Sequence, residues 1–301
     1  MQLGRRRYSI DFKKRICEYA ESNGVAAAVQ KYGISRRSIS RWLALHEDGL
    51  LGLHPYDYGD RRSLMSCLHC GGPPDSKDHN PSKIFLDEPL PDDLPVVGVC
   101  KPCNSSFSVD EPYLACLVEA ARTGLAEPDD SWRPKARVVL AHNKKLRTII
   151  QQARLETPKE TFWKFDATRV ENVARKLAVG HAAFELHDPP YCAPSLISLF
   201  PLHTLHREQR RHFETPPASS GYPEVGSRAL FRMFEGFPSQ DESGWIVIQK
   251  GRYRYVAAGS GNVAIVRMVL SEYLGIEVIW NDEEPLEVPE FDPSQMVFDF
   301  D

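Results

Sequence analysis

The sequence predicts an α+β protein with a helical head, a cysteine-rich middle and a mixed C-terminal part. Three observations lead there. Residues 8–46 carry apolar side chains at helical spacing, punctuated by Gly24 and Gly33. Four cysteines fall into two C-x2-C pairs, Cys67/Cys70 and Cys100/Cys103. The stretch "GWIVIQKGRYRYVAAGSGNVAIVRMVLSEYLGIEVIW" is β-branched, alternating and broken by glycine turns, which reads as a hairpin or meander. We therefore divide the chain into a helical unit at 1–55, a cysteine module at 62–125, an α+β domain at 126–280 and an acidic tail at 281–301.

The bulk numbers bound the function. With 301 residues, 42% hydrophobic and 26% charged, the chain has ordinary globular composition and enough length for a core. It has no run of about 18 apolar residues, so no membrane span is expected. The start, "MQLGRRRYSI", has the charge of a signal peptide without an apolar stretch after it, so a cytoplasmic protein is expected. Seven cysteines is an odd count, and in a reducing compartment the two matched pairs argue for metal over disulfides. The net charge of −4 hides an asymmetry: residues 1–55 hold ten Lys/Arg against five Asp/Glu, whereas the last 21 residues hold eight acidic side chains and no basic one. A basic head on an acidic body is suited to a polyanion. The tail, with Phe291, Phe298 and Phe300, has the composition of a disordered segment, and could shield a basic groove.

In the head, Ser9 can cap a first helix, with Asp11 in its first turn, where the helix dipole favours an anion. Phe12, Ile16, Tyr19 and Ala20 share one face, and Gly24 ends the helix. A short helix, "VAAAVQKYG", stops at Gly33. Ser35 caps a third helix, with Ile39, Trp42 and Leu43 inward and Arg36, Arg37, Ser40 and Arg41 outward. A polar, arginine-rich helix after a glycine turn is what major-groove insertion needs. The segment "YSIDFKKRICEYAESNGVAAAVQKYGISRRSISRWL" resembles the trihelical helix-turn-helix of transposase-type DNA-binding proteins. The resemblance implies DNA as partner, read by Arg36, Arg37, Ser40 and Arg41. Arg5, Arg6 and Arg7 form an arm that could reach phosphate or the minor groove, or simply be solvated.

In the middle, four thiolates satisfy zinc's tetrahedral preference and leave no open position, so the metal is expected to be structural zinc. The gap between the pairs is long enough to hold structure of its own: a turn at "GGPP", then a strand at "SKDHNPSKIF". The ordered pieces "CLHCG", "KDHNPSKIF", "LPVVGVCKPCN" and "SVDEPYLACLVE" together resemble the HNH endonucleases, the ββα-metal or His-Me finger nucleases with two C-x2-C pairs. That resemblance covers about residues 64–120 and implies a ββα-metal module. It places His79 as general base and Asp78 with Asn104 as oxygen ligands of a catalytic divalent cation. Hard oxygen donors suit magnesium or manganese. A neutral imidazole is a suitable base near neutral pH. The implied reaction is hydrolysis of a DNA phosphodiester to a 5′-phosphate and a 3′-hydroxyl, the cation stabilising the departing 3′ oxygen. Where relatives place an asparagine to orient the histidine, this sequence offers Asp93 in "PDDLPVVGVC". A carboxylate there would also hold the imidazole and would raise its pKa. Ser108 and Glu111 have the spacing of a capping box at the next helix. Lys77 and Lys83 flank the Asp-His pair and could meet phosphate or only water.

Beyond Glu127, "EPDDSWRP" reads as a loop and "PKARVVLAHNKKLRTIIQQARLE" as a helix with a stripe of Val138, Val139, His142, Leu146, Ile149 and Ile150. A second helix fits "DATRVENVARKLAVGHAAFELH", with Val170, Val173, Ala174, Leu177 and Ala178 on the side that docks on a sheet and Arg169, Arg175 and Lys176 around it. Residues 188–222 read as a long connection, with His203, His206 and His212 in an exposed polar segment. Trp245, Tyr253, Tyr255, Tyr273 and Trp280 read as core. Two rivals to the endonuclease stay open: a non-catalytic zinc-containing DNA-binding regulator, and a subunit active only with a protein partner or as a homodimer.

Overall fold

The computed structural model describes residues 10–47, 65–91, 94–158, 161–186, 192–217, 243–260 and 263–281. Arg5, Arg6, Arg7, Ser9, Asp93 and the acidic tail after Asn281 lie outside these residues. The chain forms two compact units, Met1–Tyr58 and Gly59–Asp301.

The first unit contains α1 (Ile10–Asn23), α2 (Val25–Tyr32) and α3 (Arg36–Glu47). Its core is Ile16, Cys17, Ala20, Ala28, Ile34, Ile39 and Trp42, the expected apolar stripes joined by Cys17 and Ile34. α2 ends where Gly33 adopts φ 66°, a left-handed conformation that glycine enters without a Cβ penalty, and its N–H returns to the Val29 carbonyl at 2.9 Å. Ser35 caps α3: its Oγ accepts from the Ser38 N–H at 3.2 Å. Lys31 lays its ammonium 3.8 Å from the centre of the Tyr19 ring, covering apolar surface while staying wet.

The second unit mixes helix and sheet. A two-stranded antiparallel ribbon, β1 (Ser76–His79) and β2 (Val96–Val99), comes first. α4 (Lys101–Ser106) follows directly, then α5 (Asp110–Thr123). Every residue of α5 from Tyr113 to Ala121 is buried, apolar except for Glu119, as befits a helix enclosed by the body. α6 (Pro134–His142) and α7 (Lys144–Ala153) run into a short hairpin of β3 (Arg154–Glu156) and β4 (Thr161–Trp163). The single helix expected over this stretch is thus broken at Asn143. Its side chain accepts from the Leu146 N–H at 3.0 Å and starts α7 afresh. The predicted stripe splits with it: Leu146 and Ile150 are buried, whereas Val138 is 57% exposed and His142 faces solvent.

The long helix α8 (Ala167–Leu186) packs on a five-stranded antiparallel sheet of order β5-β9-β8-β7-β6. The strands are β5 (Leu196–Pro201), β6 (Ile246–Gln249), β7 (Tyr253–Ser260), β8 (Val263–Leu270) and β9 (Leu274–Asn281). Period-two alternation sorts the faces. Tyr253, Tyr255, Val266, Met268, Ile276 and Val278 belong to the core shared with α8. Val256 and Val269 turn to the other face, where Phe213 and Trp245 wait. Phe213 comes from α9 (Arg207–Glu214). The region 188–222 is therefore not one long connection: it holds β5 and α9, whose proline- and histidine-rich composition resembles loop.

One buried apolar cluster runs from Cys67 through α5 and α8 to Trp280. Polar ties reinforce it. Arg133 Nε donates to Glu119 Oε1 at 2.9 Å deep in this core, and Arg133 Nη1 donates to the Ile84 carbonyl at 3.2 Å. The Gln249 side chain at the sheet edge accepts from the Asp87 N–H at 2.8 Å and donates to the Asp87 carbonyl at 3.1 Å. The segment after β1 is thereby clamped between α5, α6 and the sheet. Among the described residues no helix is long and apolar enough to cross a membrane.

Candidate functional site

The cysteine pairs converge. The Sγ atoms of Cys67, Cys70, Cys100 and Cys103 all lie within 4.8 Å of one another, and none is in a disulfide. Zinc–thiolate bonds of about 2.3 Å in a tetrahedron require sulfurs about 3.8 Å apart. Cys70 and Cys100 stand at 3.8 Å. The donor set therefore fits a closed, structural zinc. Backbone N–H groups of Cys100, His69 and Cys70 point at the Cys67 sulfur. Burial alone would push this thiol up, but these donors outweigh it and bring it down to about 6. Among the described residues no other group of three or more His, Cys, Asp or Glu side chains converges this way.

The cluster organises the ribbon. The Leu68 N–H of the first knuckle donates to the Gly98 carbonyl of β2 at 3.0 Å. Asp75, just before β1, accepts from the Lys101 N–H at the start of α4 at 2.7 Å, placing an anion at a helix N-terminus. α4 itself contains both Cys103 and Asn104, so the asparagine is held by the helix that the second knuckle opens. Asn104 Nδ2 donates to Ser76 Oγ at 3.2 Å. Ser76 and Asp78 are two apart on β1 and share a face, whereas His79 takes the opposite one. The amide is thus committed through its nitrogen one strand step from Asp78, and its oxygen remains as a donor for a cation.

His79 is half-buried, and its Nδ1 is buried with no hydrogen-bond partner. Burial first, then the Lys83 charge, holds its pKa below the ordinary range, against the opposing pull of Asp78 and the Pro95 carbonyl. That carbonyl is already engaged by the Asn80 N–H at 2.9 Å. The sequence led us to expect a raised pKa through Asp93; the described surroundings act in the other direction.

Asp78 has a partner that sequence reasoning missed. Lys176 of α8, expected around the apolar side of that helix with no partner named, is buried, with its Nζ 2.6 Å from Asp78 Oδ2 and in an ion pair with Glu111 Oε1. The Ser82 hydroxyl lies 2.8 Å from the same ammonium and donates to Glu111 Oε1 at 2.5 Å. Glu111 is therefore not the second half of a capping box. α5 starts at Asp110 without a side-chain cap, and Ser108 donates to the Ser105 carbonyl at 2.6 Å. His69, between the first two cysteines, lies with its ring centre 4.9 Å from that of Phe107, the planes tilted by 57°. Burial and then the Lys176 charge hold it neutral, down to about 4, although Asp78 pulls it up. The position of His69 inside the knuckle was visible in the sequence. Lys176 gave no local signal, because only the tertiary fold carries it to β1.

In the first unit Arg36 and Ser40 are exposed on α3. Arg37 and Arg41 belong to the same helix, but their side chains lie outside the described residues. Searches against protein-family models, curated proteins and solved structures find no match to this chain.

Proposed function

We propose that the chain is a metal-dependent DNA endonuclease whose site lies on β1 and α4 and whose three-helix head binds DNA. The observation that carries the reading is the Asn104–Ser76 contact, which brings the carboxamide beside the strand bearing Asp78 and His79. Four cysteines at zinc spacing tie the start of α4, which carries Asn104, to the segment that leads into β1. Asp78 and the Asn104 oxygen would hold a magnesium or manganese ion, which supplies charge stabilisation at the phosphate and leaving oxygen. His79, kept neutral by its surroundings, takes the proton from the attacking water. The exposed Arg36 and Ser40 of α3 supply contacts to phosphate and base edges.

One observation favours a second reading. Lys176 neutralises Asp78 at 2.6 Å, as it would in a zinc-held DNA-binding regulator without catalysis. Supercoiled plasmid with magnesium or manganese separates the two. His79→Ala should keep the zinc content and unfolding midpoint of the parent while losing about 10²- to 10⁴-fold in nicking rate. Nicking at the parent rate in that variant sinks the endonuclease reading. DNA binding by the parent without nicking transfers the site to the regulator.

A further inference from the structure

Lys176 sits where a bound cation would. Three oxygen donors converge on its Nζ from three elements: Asp78 Oδ2 of β1 at 2.6 Å, Ser82 Oγ of the following turn at 2.8 Å, and Glu111 Oε1 of α5. The Phe107 ring centre stands 5.3 Å from the ammonium. The side chain of Lys176 is only 3% exposed, while those of Asp78 and Glu111 keep 16% and 17%. The ammonium is therefore sealed behind two carboxylates whose outer edges meet solvent. A lone buried ammonium is costly; two carboxylates and a hydroxyl offset that cost. The formal balance of one ammonium against two carboxylates is −1, where the carboxylates alone would present −2 and, lacking a counter-charge, would take up a proton or a metal ion.

We propose that Lys176 is the resident cation of the Asp78–Glu111 pair and sets how strongly a divalent ion binds there. An incoming ion meets one uncompensated negative charge instead of two, and shares Asp78 with an ammonium that repels it. Helix α8 thus contributes a residue that tunes the cation requirement, and Glu111 becomes part of the cation environment. The consequence for cleavage rests on the endonuclease reading; the consequence for ion binding does not.

The test uses the full zinc-loaded chain and manganese alone as probe, followed by electron paramagnetic resonance and by the manganese-dependent shift in melting temperature. Lys176→Met should bind manganese at least tenfold more tightly than the parent, because a repelling charge has gone. Lys176→Arg, which keeps the charge, should stay near the parent. Adding Glu111→Gln to Lys176→Met should reverse the gain. In plasmid nicking, the manganese concentration for half-maximal rate should fall in Lys176→Met in parallel with the binding constant. Equal manganese affinity in the parent and Lys176→Met overturns the proposal, whether or not the protein nicks DNA. Tighter binding in a protein that never nicks upholds the proposal and removes the endonuclease reading. If Lys176→Met folds only when manganese is supplied, the ion has replaced the ammonium and the proposal holds. If it stays unfolded at every manganese concentration, Lys176 is merely a structural tie and the proposal fails.

Discussion

Glycine at position 180 is the contact on which the seating of β1 depends. A Cβ there would stand 2.5 Å from Asn80 Nδ2, 2.6 Å from its Cγ and 2.8 Å from its Oδ1. Asn80 directly follows His79, is 3% exposed, and donates from Nδ2 to the Leu177 carbonyl of α8 at 3.2 Å. Its main chain is pinned to the Pro95 carbonyl, so the side chain cannot retreat by moving the strand end outward. Gly180→Ala therefore forces either overpacking, at about 1–3 kcal/mol, or a turned-away amide that loses its partner in the interior, at about 1–3 kcal/mol. Alanine returns about 1 kcal/mol through its helix propensity. The net is a destabilisation of about 0–2 kcal/mol when one cost applies and of about 1–5 kcal/mol when both do. Urea unfolding of the zinc-loaded chain, read from the fluorescence of buried Trp132 and Trp163, measures it as a lower midpoint at constant slope. The control is Asn80→Ala, which removes the obstacle. In that background Gly180→Ala should be neutral or stabilising by up to about 1 kcal/mol, giving a coupling close to the clash cost, about 1–3 kcal/mol for one cost and about 2–6 kcal/mol for both. Equal cost in both backgrounds would refute the close approach as the reason for glycine.

The remaining predictions concern metal and acid. The chain should hold one zinc ion per molecule, and Cys67→Ser or Cys100→Ser, or chelation, should abolish slow hydrogen exchange in β1 and β2 while α1–α3 keep theirs. The buried Glu119 carboxyl should give stability that depends on acid. Burial pushes its pKa up, but the Arg122 and Arg133 side chains outweigh this and hold it below the ordinary value. Its contribution is therefore complete above the ordinary carboxylate range and is lost as pH falls through the depressed folded value. Glu119→Gln should flatten the acid limb of stability against pH, and at neutral pH should cost up to about 3–5 kcal/mol, because buried Arg133 loses its close carboxylate and keeps only Asp87, at 3.8 Å, as counter-charge. An unchanged acid limb in that variant would assign acid sensitivity to other groups.

The parts legible from sequence share a feature: their physical signal is local. The αL turn at Gly33 and the cap at Ser35 lie within a few residues of the helices they bound. The alternation of Tyr253, Tyr255, Val266 and Met268 reports its own strand. The C-x2-C spacing fits one knuckle by itself, and two such pairs leave few alternatives. The misreadings came from local signals that the fold overrode. Asn143 interrupts a continuous apolar stripe by capping a second helix. β5 and α9 hide in proline- and histidine-rich text because neighbouring elements supply their burial: β9 along the whole of β5, and Trp245 against Phe213. Glu111 has capping spacing with Ser108 but is drawn to Lys176 instead.

By itself, then, the sequence determined the mixed helix–sheet class, the basic three-helix head and the four cysteines that converge at metal-binding distance, because each is written in spacing along the chain. It placed Asp78, His79 and Asn104 as candidates by pattern alone. Only the tertiary structure decided what surrounds them: Ser76 under Asn104, the buried Nδ1 of half-exposed His79, and the ammonium of Lys176 between Asp78 and Glu111. The physical reason is that the charge environment of a site is set by distance in space, and an ion pair joining residues far apart in the chain leaves no periodicity for a sequence to display.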